Sequence, residues 1–415
     1  ITDTKASLSA DEEFLMAQEW EYKDPGSGVP LKKMCEPSFF FRLSKYQKPV
    51  MALIEEHPEF IQPAQYRGEI AERLAGMELR DLSISRGTFD WGVPCPEDEV
   101  EGKKHVMYVW FDALINYISG VDGLDPTKPN SRFWPAAAHV VGKDISWFHT
   151  VIWPAMLMSA GIPLPKSVVV HGFIAGADGR KMSKSYGNSV NAHDLLDKVS
   201  CDTFRWYLCR ESPYGDDVKF SEESLKLMHN ADLCNGLGNL VNRAVNLCDG
   251  AVPECDPTLV PVPFDLAALK VSVRAAFDSY RLSEAADFTI RACGATNKWI
   301  ADLEPWKMKA DKQALRAACL RLLLEAVYVL AHFFAAFIPK AAEAIFQKVG
   351  TPPRPIPKLA DNFLNLTAGS QVKTGSILFE LLEVGKAEGG KEAAPAAAKA
   401  KAKAEAKDKD KDKDK

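Results

Sequence analysis

The chain has 415 residues, 47% of them hydrophobic and 26% charged, a globular balance that suits about two or three domains. That balance excludes a mainly disordered or collagen-like chain. Nine cysteines with no Cys-x-x-Cys pair exclude a disulfide scaffold and leave a structural zinc site unsupported, with Cys35 and Cys95 isolated from each other. The formal net charge is −5; residues 391–415 hold nine Lys against six acids, +3, which leaves −8 for the first 390 residues. Nucleic-acid binding would therefore need a local basic stripe.

In chain order, residues 1–36 are polar and punctuated by Asp24-Pro25-Gly26-Ser27-Gly28, with little periodicity. The first residue is Ile rather than Met and no signal-peptide pattern follows, so the chain is expected to be an internal piece of a longer product. Apolar residues at three- and four-residue spacing predict helices over Leu43–Glu56 and Pro63–Ala75. Val106 to Trp110 reads as a strand followed by a helix through Ile118. Ala138 to Gly142 reads as a second strand, followed by a helix from Asp144 to Ala160, and Val168 to Ile174 as a third. Apolar runs alternating with helices predict a parallel sheet covered on both faces.

Beyond about residue 200 the pattern turns all-helical. Ser221, with Glu222 and Glu223 after it, is the expected N-cap of a helix running towards Leu247; Gly236 and Gly238 inside it ask for close helix packing. A Pro-spaced linker spans Val252 to Pro263, and helices are predicted near 265–281, 284–302, 312–335 and 340–348, with Pro305 suited to a first helical position. The longest apolar stretch, Ala326 to Ile338, is too short to span a bilayer and contains His332, so no membrane partner is expected. Pro352, Pro353, Pro355 and Pro357 open an extended segment ending near Leu382. The Ala/Lys-rich tail from Gly385 lacks the apolar side chains that would offset its ordering entropy, so disorder is expected there.

Lys181-Met182-Ser183-Lys184-Ser185 follows the third strand in a loop marked by Gly176, Asp178-Gly179 and Gly187. Two lysines and two hydroxyls on such a loop suit a polyphosphate, the lysines as point charges and the hydroxyls as hydrogen-bond donors. A solvated basic turn is the plain alternative for a lone Lys-x-x-Lys. Gly142 and Asp144 end a strand and open a helix, the place where an open α/β sheet takes a ligand. There Asp144 could accept from ribose hydroxyls or simply cap the helix.

The Lys181–Ser185 string resembles the signature loop of class I aminoacyl-tRNA synthetases. Tyr108-Val-Trp110-Phe-Asp112-Ala113, Gly142-Lys-Asp144-Ile145-x-x-Phe148-His149, Trp153-Pro154-Ala155-Met156 and His171-Gly172-Phe173 narrow the resemblance to the methionyl-tRNA synthetases, as do Asp81-Leu-Ser-Ile-Ser85-Arg86 and Trp91-Gly-Val-Pro94. It runs from about Phe39 to Pro339. It implies an α/β fold: the second half of a Rossmann-like parallel sheet, followed by an all-α anticodon-binding helix bundle and a disordered Lys-rich tail. It implies a cytoplasmic methionine–tRNA ligase that uses ATP and Mg²⁺ to form methionyl-adenylate and then charges tRNA(Met). Lys181 and Lys184 would hold the β- and γ-phosphates, with Lys184 foremost. Gly142, Asp144, His171, Gly172, Met182, Ser183 and Ser185 would complete the ATP side. Trp110, Ala113, Leu114, Tyr117, Ile145, Phe148 and His149 would line the methionine pocket, Leu114 standing where some members have Pro. A Tyr hydroxyl and a His N–H can reach the thioether sulfur. Asn239, Arg243, Pro305 and Trp306 would read the CAU anticodon. For the aromatic residues taken singly, core packing is the alternative.

The resemblance fails in one place: no His-Ile-Gly-His type string and no zinc knuckle occur. The chain is therefore expected to be a carboxy-terminal portion, inactive alone, with zinc only in the missing amino-terminal part. The expected division is 1–38, the end of an inserted domain; 39–200, the second half of the nucleotide fold; 201–220, a connection; 221–350, the anticodon bundle; 351–384, an extended segment; and 385–415, the tail. The tail reads as an RNA tether or as a link within a multi-synthetase assembly. The alternatives are a catalytically incompetent tRNA-binding fragment and another class I synthetase, against which Trp110 and Phe148-His149 speak.

Overall fold

The computed structural model describes residues 37–88, 90–96, 104–176, 179, 182, 190–248 and 250–384. Lys181, Ser183, Lys184 and Ser185 of the lysine loop, Cys35, and the tail from residue 385 lie outside the described residues. The chain divides into two units, each with its own apolar core.

The mixed α/β unit comprises residues 1–182 with 212–219 and 278–283. Its elements are β1 (Phe40–Phe41), α1 (Gln47–Glu56), β2 (Ile61–Gln62), α2 (Ala64–Ala75), β3 (Leu82–Ser83), β4 (Ser85–Arg86), β5 (Val106–Met107), α3 (Val109–Ser119), β6 (His139–Gly142), α4 (Trp153–Ala160), β7 (Val168–His171), β8 (Ile174–Ala175) and β9 (Val218–Lys219). Helical spacing sets the buried stripes: Val50 and Ile54 on α1, Tyr66, Ile70 and Leu74 on α2, Leu114 and Ile118 on α3. β2, β7 and β6 form a parallel sheet in that order, with His139 beside Val168 and Gly142 beside His171. Val141, Val168 and Val170 are buried in it, whereas Val140 on the edge strand is 68% exposed, so among the described residues that face lacks the expected cover.

Three local expectations change. The strand placed at Val106 to Trp110 is only two residues long and pairs antiparallel with Ser85–Arg86; Tyr108 is extended and Val109 already helical, with Asp112 in the favourable first turn. The helix expected from Asp144 to Ala160 is a 3₁₀ turn at Lys143–Ile145, a π-helical turn at Phe148–Ile152 and then α4. The strand expected through Ile174 stops at His171. At Gly172 the chain meets the segment 212–219 so closely that a Cβ would lie 2.2 Å from the carbonyl oxygen of Asp216. Beyond it, β8 pairs with β9.

The helical unit comprises residues 183–211, 220–277 and 284–415. It contains α5 (Ala192–Leu196), α6 (Cys201–Glu211), α7 (Glu222–Met228), α8 (Asn239–Leu247), α9 (Leu266–Asp278), α10 (Leu282–Leu303), α11 (Gln313–Phe334) and α12 (Pro339–Lys348), the ends of α9 and α10 reaching the segment 278–283. Ser221 is the N-cap of α7, its hydroxyl accepting from Ser224 N at 3.0 Å. A π-helical stretch, His229–Gly238, joins α7 to α8. A Cβ on Gly238 would lie 2.9 Å from the carbonyl oxygen of Leu233, so the wide turn itself excludes a side chain there more tightly than any neighbouring helix does. The helix Ala310–Phe334 is long and apolar enough to cross a membrane by length and composition, longer than the continuous apolar run suggests. However, 94% of its apolar window is buried inside the protein. It is the core helix of this unit, and it carries a buried ion pair between Arg321 and Glu325.

Candidate functional site

The residues expected to line a methionine pocket come together in the mixed unit. Trp110 opens α3 and stacks on Phe148 of the π-helical turn, with ring centroids 4.7 Å apart and planes 25° apart. Two turns further along α3, the Tyr117 hydroxyl lies 2.8 Å from His149 Nε2. His149 Nδ1 lies 2.9 Å from the carbonyl oxygen of Ile145, which can only accept, so the proton of the imidazole sits on Nδ1 and Tyr117 donates to Nε2. Burial of His149, only partly offset by the bond to Ile145, lowers its pKa and favours that neutral ring; burial likewise raises the Tyr117 phenol.

Trp110 and Tyr117 are each 37% exposed and Ala113 is exposed, so this stretch of α3 presents an open aromatic edge. Two expectations are corrected. Both hydrogens thought available to a thioether, on the Tyr117 hydroxyl and the His149 ring, are engaged within the protein. Leu114 is 2% exposed and turned into the apolar core, on the inner side of α3.

Gly142 and His171 end β6 and β7 side by side, at the carboxyl edge of the parallel sheet. Gly142, not Asp144, is the N-cap of the following turn; Asp144 is exposed in its first turn. His171 is exposed, its Nδ1 2.9 Å from the carbonyl oxygen of Gly172. Sequence reasoning missed the neighbour that organises this edge. Asp217 accepts from Phe173 N at 2.7 Å and from Lys143 Nζ at 2.8 Å, with Lys143 lying 4.7 Å over the Phe173 ring. That hydrogen bond lowers the Asp217 pKa and raises that of Lys143. A lone Asp 74 residues downstream gives no local signal. Met182 is partly buried; its four loop neighbours at 181 and 183–185 lie outside the described residues.

His139 is a second residue that sequence reasoning did not single out. It is 5% exposed, and burial first, then the charge of His149, push its pKa down to about 4. The unfolded chain takes up a proton near pH 6.5 that the folded state refuses until about pH 4, so folding stability falls as the pH drops through that window. Urea midpoints at pH 7 and pH 4.5 are expected to differ, and His139→Gln is expected to narrow the difference; an unchanged difference would contradict this.

In the helical unit, Asn239 is exposed and Arg243, one turn along α8, has its guanidinium carbon 5.0 Å from the Trp306 ring. Trp306 is 42% exposed on a 3₁₀ turn, Pro305–Lys307, which follows α10 through Glu304 in a left-handed conformation (φ 47°). Three of the four expected anticodon readers therefore lie on two neighbouring, accessible elements. Pro305 is the exception: it is buried, its fixed φ starting the turn that presents Trp306.

With this geometry in place, comparison with known proteins decides the family. The family model for class I tRNA synthetases (M) matches residues 25–245, and that for the anticodon binding domain of methionyl tRNA ligase matches residues 265–392. The methionine–tRNA ligase of Rhizobium meliloti is 40% identical over 355 residues, covering 82% of this chain and 68% of the relative. The chain belongs to the methionine–tRNA ligase family. The Thermotoga maritima ligase is 38% identical over 365 residues, covering 85% of this chain and 57% of its own length. Among solved structures, Mycobacterium tuberculosis methionyl-tRNA synthetase bound by methionyl-adenylate superposes with a TM-score of 0.75 at 36% identity, covering 85% of this chain and 71% of that one.

Ligases of this family are class I enzymes, and the nucleotide-binding fold, the helical carboxy-terminal domain and a tRNA-binding anticodon domain follow from membership. Among the described residues, no group of three or more His, Cys, Asp or Glu could hold a metal ion.

Proposed function

We propose that the chain serves ATP-dependent activation of methionine and its transfer to tRNA(Met). The mixed unit holds the methionine side chain and one edge of the adenylate, and the helical unit reads the anticodon. The observation that carries this is the open aromatic edge of Trp110 stacked on Phe148 beside the Tyr117–His149 pair. A thioether is soft and polarisable and favours aromatic edges, so this edge suits a methionine side chain better than a charged or branched one.

Displacement at the α-phosphate of ATP needs positioning and charge neutralisation. Gly142 and His171 at the carboxyl ends of β6 and β7 suit the adenosine edge, and Asp144 suits the ribose hydroxyls. Lys143 and Asp217 form a fixed ion pair at that edge, whose ammonium keeps hydrogens to donate. The family loop supplies Lys181 and Lys184 for the β- and γ-phosphates. Mg²⁺, where bound, shares the charge of the departing pyrophosphate.

The chain spans only part of its relatives' length. Among the described residues the outer edge of β6 has no strand partner, and Val140 and Val109 beside the candidate pocket are 68% and 61% exposed. The open β6 edge and the exposed valines support the second reading, a tRNA-binding piece that does not activate methionine alone. Methionine-dependent ATP–pyrophosphate exchange by the purified 415-residue chain is expected to be negligible. Robust exchange would overturn this second reading while leaving the methionine reading in place.

A further inference from the structure

His139 is not itself among the residues assigned to substrate, yet it joins the hydrogen-bonded Tyr117–His149 pair of the pocket to the core beneath it. Its ring lies 4.3 Å from that of Tyr117, centroid to centroid, with planes 48° apart. The Trp153 indole N–H donates to His139 Nε2 at 3.3 Å. Trp153 is 1% exposed and His139 5%, whereas Tyr117 is 37% exposed, so the contact runs from the buried core to the open edge. An indole N–H can only donate, which leaves the imidazole proton of His139 on Nδ1. At the other end the carbonyl of Ile145 can only accept, which puts the proton of His149 on Nδ1 as well. Every proton between Trp153 and Ile145 then has one place, and the Tyr117 hydroxyl is committed to His149.

We propose that His139 is a positioning residue of the methionine pocket: fixed by Trp153, its ring supports Tyr117 at the angle that keeps the Tyr117–His149 bond closed. The proposal rests on the methionine reading of this pocket. Two features of His139 can be separated by substitution. His139→Gln keeps an acceptor for Trp153 and removes the ring beneath Tyr117. His139→Phe keeps a ring of similar size and removes the acceptor, stranding a buried indole N–H.

The test uses the 415-residue chain, with the ring nitrogens of His149 followed by ¹⁵N NMR and L-methionine binding followed by tryptophan fluorescence. His139→Gln is expected to fold with a urea midpoint near that of the parent, yet to lose the Tyr117 hydrogen bond at His149 Nε2, read as a shift of the Nε2 resonance, and to bind L-methionine about tenfold more weakly, equivalent to about 1.4 kcal/mol. His139→Phe is expected to unfold at lower urea, yet to recover the parent Nε2 resonance of His149 and most of the lost affinity. A purely structural His139 predicts the opposite pairing, with affinity following stability in both variants. An unchanged His149 Nε2 resonance in His139→Gln overturns the proposal. Absence of any L-methionine response in the parent chain would count against the methionine reading instead, and the His149 signal would still decide the role of His139.

Discussion

Glu325→Ala is expected to destabilise the helical unit by about 3–5 kcal/mol, the usual cost of stripping one partner from a buried ion pair. Glu325 is fully buried in α11 and Arg321, one turn before it, is 7% exposed. The guanidinium lies 3.0 Å from Glu325 Oε1, donates to the Pro253 carbonyl at 3.2 Å and also bonds the Leu366 carbonyl. The carboxylate accepts from Asn365 N and Leu366 N, each at 2.8 Å. Burial outweighs these donors and raises the Glu325 pKa. Even so, the backbone N–H groups and the guanidinium can only donate, so both carboxylate oxygens act as acceptors and the group is held ionised. Removing the carboxylate leaves a buried cation and two orphaned amides, and it unfastens residues 365 and 366 from the core helix. Since domain stabilities run at about 5–15 kcal/mol, the loss would approach unfolding of the unit. Arg321→Met with Glu325→Leu removes both charges and is expected to lie much closer to the parent. Urea unfolding of the three chains checks this; a Glu325→Ala loss below about 1 kcal/mol, the worth of an exposed pair, would contradict it.

Trp306→Ala is expected to weaken binding of a CAU anticodon stem-loop by about ten- to a hundredfold, because stacking a base on an aromatic ring is worth about 1–3 kcal/mol. The ring is 42% exposed, with the Arg243 guanidinium beside it at 5.0 Å. A planar cation and an indole so placed can receive a splayed base between stacking and hydrogen bonding. Arg243→Ala is expected to lose affinity to a similar degree, with part of the loss depending on salt if it also meets phosphate. Trp306 is exposed and lies in a short turn, so its removal should leave the urea midpoint of the helical unit nearly unchanged. A midpoint that fell with the affinity would make Trp306 a packing residue.

Much of this was legible in the chain. Helical spacing located α1, α2 and α10, because each buries a stripe repeating every three or four residues, whereas α11 is buried all round from Ala318 to Phe334 and was marked by its apolar composition. The resemblance named Trp110, Tyr117, Phe148 and His149, and the structure brings these four together. What escaped was long-range or backbone-mediated. Asp217 reaches Lys143 across 74 residues, and Glu325 is satisfied by amides of residues 365 and 366, which carry no side-chain signature. Two charges four apart inside the apolar run of α11 were the available hint of that pair. The β-prone run at Val106 to Trp110 misled because local propensity yields to tertiary context, and only two of its residues find a strand partner.

The most direct measurement is the affinity of the 415-residue chain for a CAU anticodon stem-loop against one with the same bases permuted to UAC. The account predicts a preference for CAU of about tenfold or more, the discrimination expected from one or two base-reading contacts at about 1–3 kcal/mol each. Equal affinity for the two stem-loops, with Trp306→Ala binding both as the parent does, would contradict it.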